Sequence, residues 1–194
     1  MRILLASASE RRGLILRERF SNIEQNALKD VNESVPRGFI SDQVEQVVSR
    51  KANAVKLDDS FDVAVVADTL VEDPDDAREA LGKPRSKQEA VGMLLRLRGS
   101  RHKVWSATMV HALGQWKTTV EYALVEIEDF SDDVLVELIE SDSWVGKAGA
   151  YDLAGMMGDY AKLVEGSETT VLGFTQASLQ YLEELQSLFS ISRS

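Results

Sequence analysis

An almost uninterrupted apolar run over residues 63–71 constrains the fold more than any other feature of the sequence. Only Asp68 and Thr69 break it. Strands that are covered on both faces of a sheet read as continuous apolar runs, whereas strands with one wet face alternate between apolar and polar residues. The run therefore predicts a central strand that is covered on both faces.

The segments around this run alternate between strand and helix patterns. Residues 3–6 predict a short buried strand, and a helix capped by Ser9 follows. A second helix is expected from Ser41, because apolar residues recur at helical spacing between Val44 and Val55. Residues 104–113 and 118–127 predict two antiparallel strands. Further helices are predicted after three capping residues, Ser86, Ser131 and Thr175.

This order of elements predicts the fold class. Strands and helices alternate without internal repeats, low-complexity segments or a linker, so we expect an α/β fold with a mixed twisted sheet and flanking helices. We expect residues 1–194 to form a single domain. Residues 3–6 are too short an apolar run for a signal peptide or a membrane span, which predicts a cytoplasmic protein.

The charge and the residue composition exclude several classes of function. A formal net charge of −10 argues against nucleic acid and anionic membranes as partners, because both are held mainly by basic surfaces. The sequence has no cysteine and only two histidines, so any metal site must be built from carboxylates. Carboxylate ligands favour Mg²⁺ or Mn²⁺.

Asp68 is the residue that packing explains least. An ionised carboxylate within a buried strand costs several kcal/mol unless it is paired, hydrogen-bonded or bound to a metal ion. Its expected place is the carboxyl end of the strand, where α/β sheets usually bind their ligands. The alternative is a structural aspartate that accepts hydrogen bonds from the amides of the next loop.

Four cations are candidates for phosphate binding. Lys51 projects from the apolar stripe of the second helix, either to cover the edge of the core and reach water or to enter a cleft. Arg11 and Arg12 lie on the first turn of the opening helix, where guanidinium groups combine with free N–H donors, although such pairs also occur on solvated faces. Lys83 lies between Gly82 and Pro84 and is equally ambiguous alone.

Taken together, these residues resemble the Maf family of nucleotide pyrophosphatases. Residues 4–12, LLASASERR, resemble the L-A-S-x-S-P-R-R signature, and residues 67–71, ADTLV, resemble A-D-T-x-V. Residues 81–84, LGKP, and 147–151, KAGAY, match two further motifs in the order of the family. Shorter matches lie at residues 32–33, 51–52 and 165–173, so the resemblance covers nearly the whole chain.

The resemblance implies an elongated fold with a deep cleft, similar to inosine-triphosphate pyrophosphatases. It also implies metal-dependent hydrolysis of a nucleoside triphosphate (NTP) to the monophosphate and pyrophosphate. By position, Asp68 is the proton acceptor and acts with Glu33, and the same two carboxylates hold the metal ion. The implied substrate-binding residues are Ser7, Arg11, Arg12, Lys51, Thr69, Lys83 and Lys147. A homodimer is expected from the resemblance alone.

Ala154 departs from the family pattern in a way that concerns the base. It stands where relatives acting on dTTP and UTP carry glutamine, and where a branch preferring methylated GTP carries glutamate. Base-modified NTPs are therefore included among the expected substrates. The alternative function is a non-catalytic, nucleotide-binding regulator of cell division, because the family is named for inhibition of septum formation.

Overall fold

The computed structural model of the protein describes residues 1–58 and 60–191. Its strands are β1 (Ile3–Leu5), β2 (Ile23–Gln25), β3 (Val63–Asp73), β4 (Asp76–Leu81), β5 (Arg101–Ala112), β6 (Gln115–Ile127) and β7 (Ala161–Glu165). Its α-helices are α1 (Glu10–Arg19), α2 (Ile40–Ala54), α3 (Lys87–Leu97), α4 (Asp132–Glu140), α5 (Glu168–Leu172) and α6 (Gln176–Ile191). Short 3₁₀ helices occupy Ala148–Ala150 and Met156–Asp159.

The strands form one mixed sheet, which confirms the predicted fold class. The order is β2-β1-β3-β5-β6-β7, and β4 adds to β3 off this path. β1 is parallel to β2 and β3, whereas the pairs β3–β4, β3–β5, β5–β6 and β6–β7 are antiparallel. In the described part of the chain no helix is long and apolar enough to cross a membrane.

β3 is covered on both faces, as its apolar run predicts. On one face Val66 packs in a cluster with Val44 and Val48 of α2. On the other face Val65 packs with residues of α1 and α6. A third cluster packs α3 and α4 against Val104 of β5 and against Ala123, Val125 and Ile127 of β6. Asp68 and Thr69 are only partly buried within this otherwise covered strand.

Three of the predicted helix caps are present. The Ser9, Ser86 and Ser131 hydroxyls accept backbone N–H groups of α1, α3 and α4, respectively. The start of α6 is built differently, because Glu121 of β6 accepts the N–H groups of Gln176 and Ala177. The Thr175 side chain instead forms a hydrogen bond with Thr119.

Several short elements do not stand out in the sequence. β2, β4, β7 and α5 are absent from the sequence prediction. The first five residues of β4 lack buried apolar side chains, so this strand is defined by its backbone pairing with β3 rather than by a pattern. The β5–β6 turn lies at Leu113 and Gly114, which both have a positive φ, so β5 ends one residue before the predicted strand and β6 begins three residues earlier than predicted.

One edge of β3 contains a gap that positions the functional site. On this edge β1 pairs with residues 63–65 of β3, and β4 pairs with residues 71–73. Between them, residues 66–70 have no strand partner on this edge among the described residues, whereas β5 pairs continuously along the opposite edge. Asp68 and Thr69 lie in the middle of this gap, so Asp68 is at the centre of β3 and not at the carboxyl end, where the sequence placed it.

Candidate active site

A cavity of about 590 Å³ opens at the gap beside β3. All nine residues implied by the motif resemblance line it: Ser7, Arg11, Arg12, Glu33, Lys51, Asp68, Thr69, Lys83 and Lys147. They come from α1 and the turn before it, α2, β3, the segment after β4, and the loops around residues 33 and 147. The structure therefore brings these nine residues together at one cleft. Their chemical roles remain a proposal.

Lys51 lies between two carboxylates inside this cavity. Its Nζ donates to Asp68 Oδ1 at 2.6 Å and lies 3.0 Å from Glu33 Oε1. The side chains of Lys51 and Asp68 are only 11% and 13% exposed. The ammonium group therefore points into the cleft rather than along the core edge to water, which decides between the two interpretations of the sequence.

Glu33 is held in its ionised form by the cations around it. Burial alone would raise the pKa of Glu33, but the hydrogen bond and charge of Lys51 outweigh it, helped by the charge of Lys83. The net effect is a pKa below the usual value for glutamate. The Glu33 and Asp68 carboxylates thus converge on the Lys51 ammonium group at one point of the cavity.

Arg12 fills the gap in the sheet with its side chain. Its Nη1 donates to the Ala67 carbonyl at 2.9 Å, a bond that a neighbouring strand would otherwise supply, and its Nη2 donates to Thr69 Oγ1 at 3.0 Å. Nε donates to the Gly173 carbonyl at 3.0 Å. A Cβ on Gly173 would lie 2.8 Å from Arg12 Nε, so this close approach requires glycine. Arg12 is thereby fixed in orientation.

Asp152 is a site residue that the sequence did not reveal. Its Oδ1 accepts from Arg11 at 3.0 Å, and its Oδ2 lies 2.7 Å from the Nζ of Lys147. Burial would raise the pKa of Asp152, but Lys147 and Arg11 lower it below the usual value. Since Asp152 lies in a glycine-rich segment without a recognisable pattern, no local signal identifies it.

Lys83 differs from the other cations of the cavity. It is exposed, and it has no ion-pair or hydrogen-bond partner within residues 1–58 and 60–191. Arg11, Arg12, Lys51 and Lys147 are all bound by protein groups. Lys83 is therefore the cation that is most available to an incoming anion.

The turn between β1 and α1 adds backbone donors to the cavity. The Ser7 hydroxyl accepts the Ser9 N–H at 3.2 Å, which orders the turn. The N–H groups of Ala8, Glu10 and Arg11 have no hydrogen-bond partner in the described part of the chain. Unpaired N–H groups at a helix N-terminus are well suited to bind anions.

The cavity also has an apolar wall, in which Tyr151 is the largest side chain. Val71, Val104 and Leu153 contribute to the same wall. The Tyr151 hydroxyl lies 2.8 Å from Nε2 of the buried His102. Burial lowers the pKa of His102 to about 4 and raises the pKa of Tyr151. Both groups are therefore neutral at physiological pH.

A cavity that combines cations, free N–H donors, two converging carboxylates and an apolar wall suits a nucleotide. The family model described as Maf-like protein matches residues 2–185. The chain belongs to the Maf family. The resemblance drawn from the motifs is thereby confirmed for nearly the whole chain.

Two relatives of the chain carry the same name. The chain is 30% identical to the "dTTP/UTP pyrophosphatase" of Clostridium beijerinckii over 199 residues, which cover 96% of this chain and 100% of that protein. It is 34% identical to the protein of the same name from Hahella chejuensis, with 89% and 86% covered. Among solved structures, the Staphylococcus aureus Ham1 protein matches with a TM-score of 0.44 and 13% identity, over 66% of this chain and 73% of that one.

Proposed function

We propose that this Maf-family protein is a nucleoside-triphosphate pyrophosphatase, a hydrolase that cuts the bond between the α and β phosphates. Relatives named dTTP/UTP pyrophosphatase support this assignment. The observation that carries it is the arrangement around Lys51. Two carboxylates converge there in a cavity that gathers five cations, within a chain whose net charge is −10.

The cations and the backbone donors bind the triphosphate. Lys83 and the free N–H groups at the start of α1 are available to phosphate oxygens without breaking an existing contact. Arg11 and Lys147 also line the cavity, where each forms an ion pair with Asp152. As the bond breaks, negative charge grows on the departing pyrophosphate, and these groups stabilise it.

Asp68 acts as the general base. Its Oδ1 is engaged by Lys51, and its Oδ2 has no partner among the described residues, so Oδ2 is free to accept a proton from water. The water oxygen forms a bond to the α-phosphorus, and the bond from that phosphorus to the bridging oxygen breaks. The electron pair leaves with pyrophosphate, and the proton passes to Asp68. Lys51 and Arg12, fixed by their protein contacts, hold Asp68 and Thr69 in place.

The donor set fits a magnesium or manganese ion that arrives with the substrate. No group of three carboxylate, histidine or cysteine side chains is arranged to hold a metal ion within the described ranges. Mg²⁺ is typically bound by one or two carboxylates together with water and substrate phosphates, and Asp68 and Glu33 supply such a pair. When bound, the ion would neutralise phosphate charge and lower the pKa of the attacking water.

The site selects less strictly for the base of the nucleotide than for its phosphates. Ala154 is exposed and does not line the cavity, and its methyl group offers no hydrogen bond. Sites that hydrogen-bond their substrates reject analogues by leaving buried polar groups unpaired, so a missing contact weakens discrimination. We therefore extend the proposed substrates to several natural and base-modified NTPs.

The test is pyrophosphate release by the 194-residue chain over a panel of NTPs, with Mg²⁺, with Mn²⁺ and with EDTA. We expect turnover with either ion and none with EDTA. Tight NTP binding without turnover under all conditions would refute the hydrolase and favour the non-catalytic regulator. Sedimentation of the same preparation tests the expected homodimer.

A further inference from the structure

We propose that Gln25 is a positioning residue that aims two backbone N–H groups at the polyphosphate, and that Gly13 is glycine to make room for it. The inference rests on the proposed function for the identity of the anion. It adds a residue pair that lies outside the cavity lining and outside the family motifs in the sequence.

Gln25 binds the turn between β1 and α1 through its side-chain amide. It is the last residue of β2 and pairs with Leu5, the residue at which β1 ends. Its Nε2 donates to the Ser7 carbonyl at 2.9 Å and to the Ser9 carbonyl at 3.0 Å. Its Oε1 accepts from Arg17 at 2.9 Å. The amide orientation is therefore fixed from both sides.

These two carbonyls belong to the peptide units whose N–H groups are free. In a trans peptide the carbonyl of one residue and the N–H of the next point in opposite directions. No cis peptide bond occurs in the described chain. Gln25 holds the Ser7 carbonyl, and it holds the Ser9 carbonyl together with the N–H of Gly13 in α1. The N–H groups of Ala8 and Glu10 are thereby directed away from the amide, on residues that line the cavity.

Gly13 supports this inference from the opposite side. It lies within α1, where glycine destabilises a helix by roughly 0.5–1 kcal/mol relative to alanine. Its φ is not positive, so the backbone itself does not require glycine. A Cβ at this position would overlap Gln25 Oε1 and would lie 2.7 Å from an Arg17 nitrogen. Any side chain would push the amide out of position.

Two substitutions separate positioning from general stability. Gln25→Glu keeps the size and the contact with Arg17 but replaces the donor with a carboxylate facing two carbonyls. We expect the dissociation constant of inorganic pyrophosphate and the KM of NTPs to rise about tenfold or more, because two hydrogen bonds are lost, with a smaller change in kcat. Gly13→Ala should raise the melting temperature of the protein or leave it unchanged, yet weaken pyrophosphate binding severalfold.

Gly92→Ala is the matched control. Gly92 also lies within a helix, α3, but a Cβ there meets nothing within 4 Å. It should leave pyrophosphate binding unchanged. In a Gln25→Ala background, where the amide is already absent, Gly13→Ala should cause no further loss of affinity.

Three measurements on each variant test the inference: calorimetric titration with pyrophosphate and Mg²⁺, steady-state kinetics and thermal melts. Wild-type affinity in either Gln25→Glu or Gly13→Ala would overturn the inference, as would fully additive losses in the double variant. Should Gln25→Glu fail to fold, Gly13→Ala still tests the pair. Absence of NTP turnover by the wild type would refute the proposed hydrolase activity. The pyrophosphate titrations would still test whether Gln25 positions the two N–H groups.

Discussion

Replacing Asp68 with asparagine should abolish turnover while the protein stays folded. Asparagine keeps the volume and one acceptor for Lys51, but it cannot take a proton from water and binds a divalent ion far more weakly. Loss of a general base typically lowers a rate by about two to four orders of magnitude, or roughly 3–5 kcal/mol in the activation barrier.

The stability cost of the same change should be small. Lys51 would still have Glu33 at 3.0 Å, so its charge would not be left alone in the cleft. We expect a loss of about 1–2 kcal/mol in the free energy of unfolding, comparable to one charged hydrogen bond. For a chain of this size that corresponds to a fall in melting temperature of about 2–8 °C.

Asp73→Asn is the control, because it removes another ion-paired aspartate from the same strand. Asp73 Oδ2 lies 2.8 Å from Arg96 Nε, its side chain is 0% exposed, and it does not line the cavity. This variant should lose at least as much stability as Asp68→Asn but keep its turnover per folded molecule. Pyrophosphate release, nucleotide binding and thermal melts should be measured on the same preparations. A folded Asp68→Asn variant with near wild-type turnover would remove Asp68 from the mechanism.

Three further predictions address phosphate binding, base selectivity and pH. Lys83→Ala should raise the KM of every NTP by a similar factor, about ten- to hundredfold. Lys87 is exposed and lies outside the cavity, so Lys87→Ala should leave the KM unchanged. A rise in KM for NTPs of one base only would contradict this prediction. The wild type should hydrolyse several NTPs within about an order of magnitude of each other, and Ala154→Gln should widen that spread; strict selectivity in the wild type would show that other residues read the base. The pKa of His102 is about 4 in the folded protein and near 6.5 in the unfolded chain. Between these two pH values only the unfolded chain binds the proton. The free energy of unfolding should therefore fall by up to about 3 kcal/mol as the pH drops from 6.5 to 4. His102→Gln should flatten this fall in urea unfolding at pH 7 and pH 4.5, and equal slopes for both proteins would refute the assignment.

The sequence singles out two residues at the centre of the candidate site, because both break a burial pattern. Asp68 interrupts a run that is otherwise buried, and Lys51 lies in an apolar stripe, so both stand out from the residue order alone. Asp152 and Gln25 do not. Each is an ordinary polar residue in its own segment, and its importance comes from contacts with residues that are remote in sequence.

The same distinction explains which elements of the fold were predicted. β3, β5 and β6 carry long hydrophobic patterns, and α1, α3 and α4 begin at serine caps. β2 has three residues and β4 has little buried apolar surface, so their existence depends on the strands that they join. Local patterns cannot show such pairings, which arise only when the chain is assembled.

The unpaired stretch of β3 places stability and activity in competition for the same backbone. If β1 ran two or three residues further, or β4 reached back toward Ala67, the ladder would close and the guanidinium of Arg12 would lose its carbonyl. A sequence selected only for thermal resistance would drift toward that closure, since each added pair completes the sheet. Laboratory evolution under selection for heat resistance alone should therefore accumulate changes that extend β1 or β4 along β3. The resulting proteins should be more thermostable, with a narrower cavity opening and no catalytic activity.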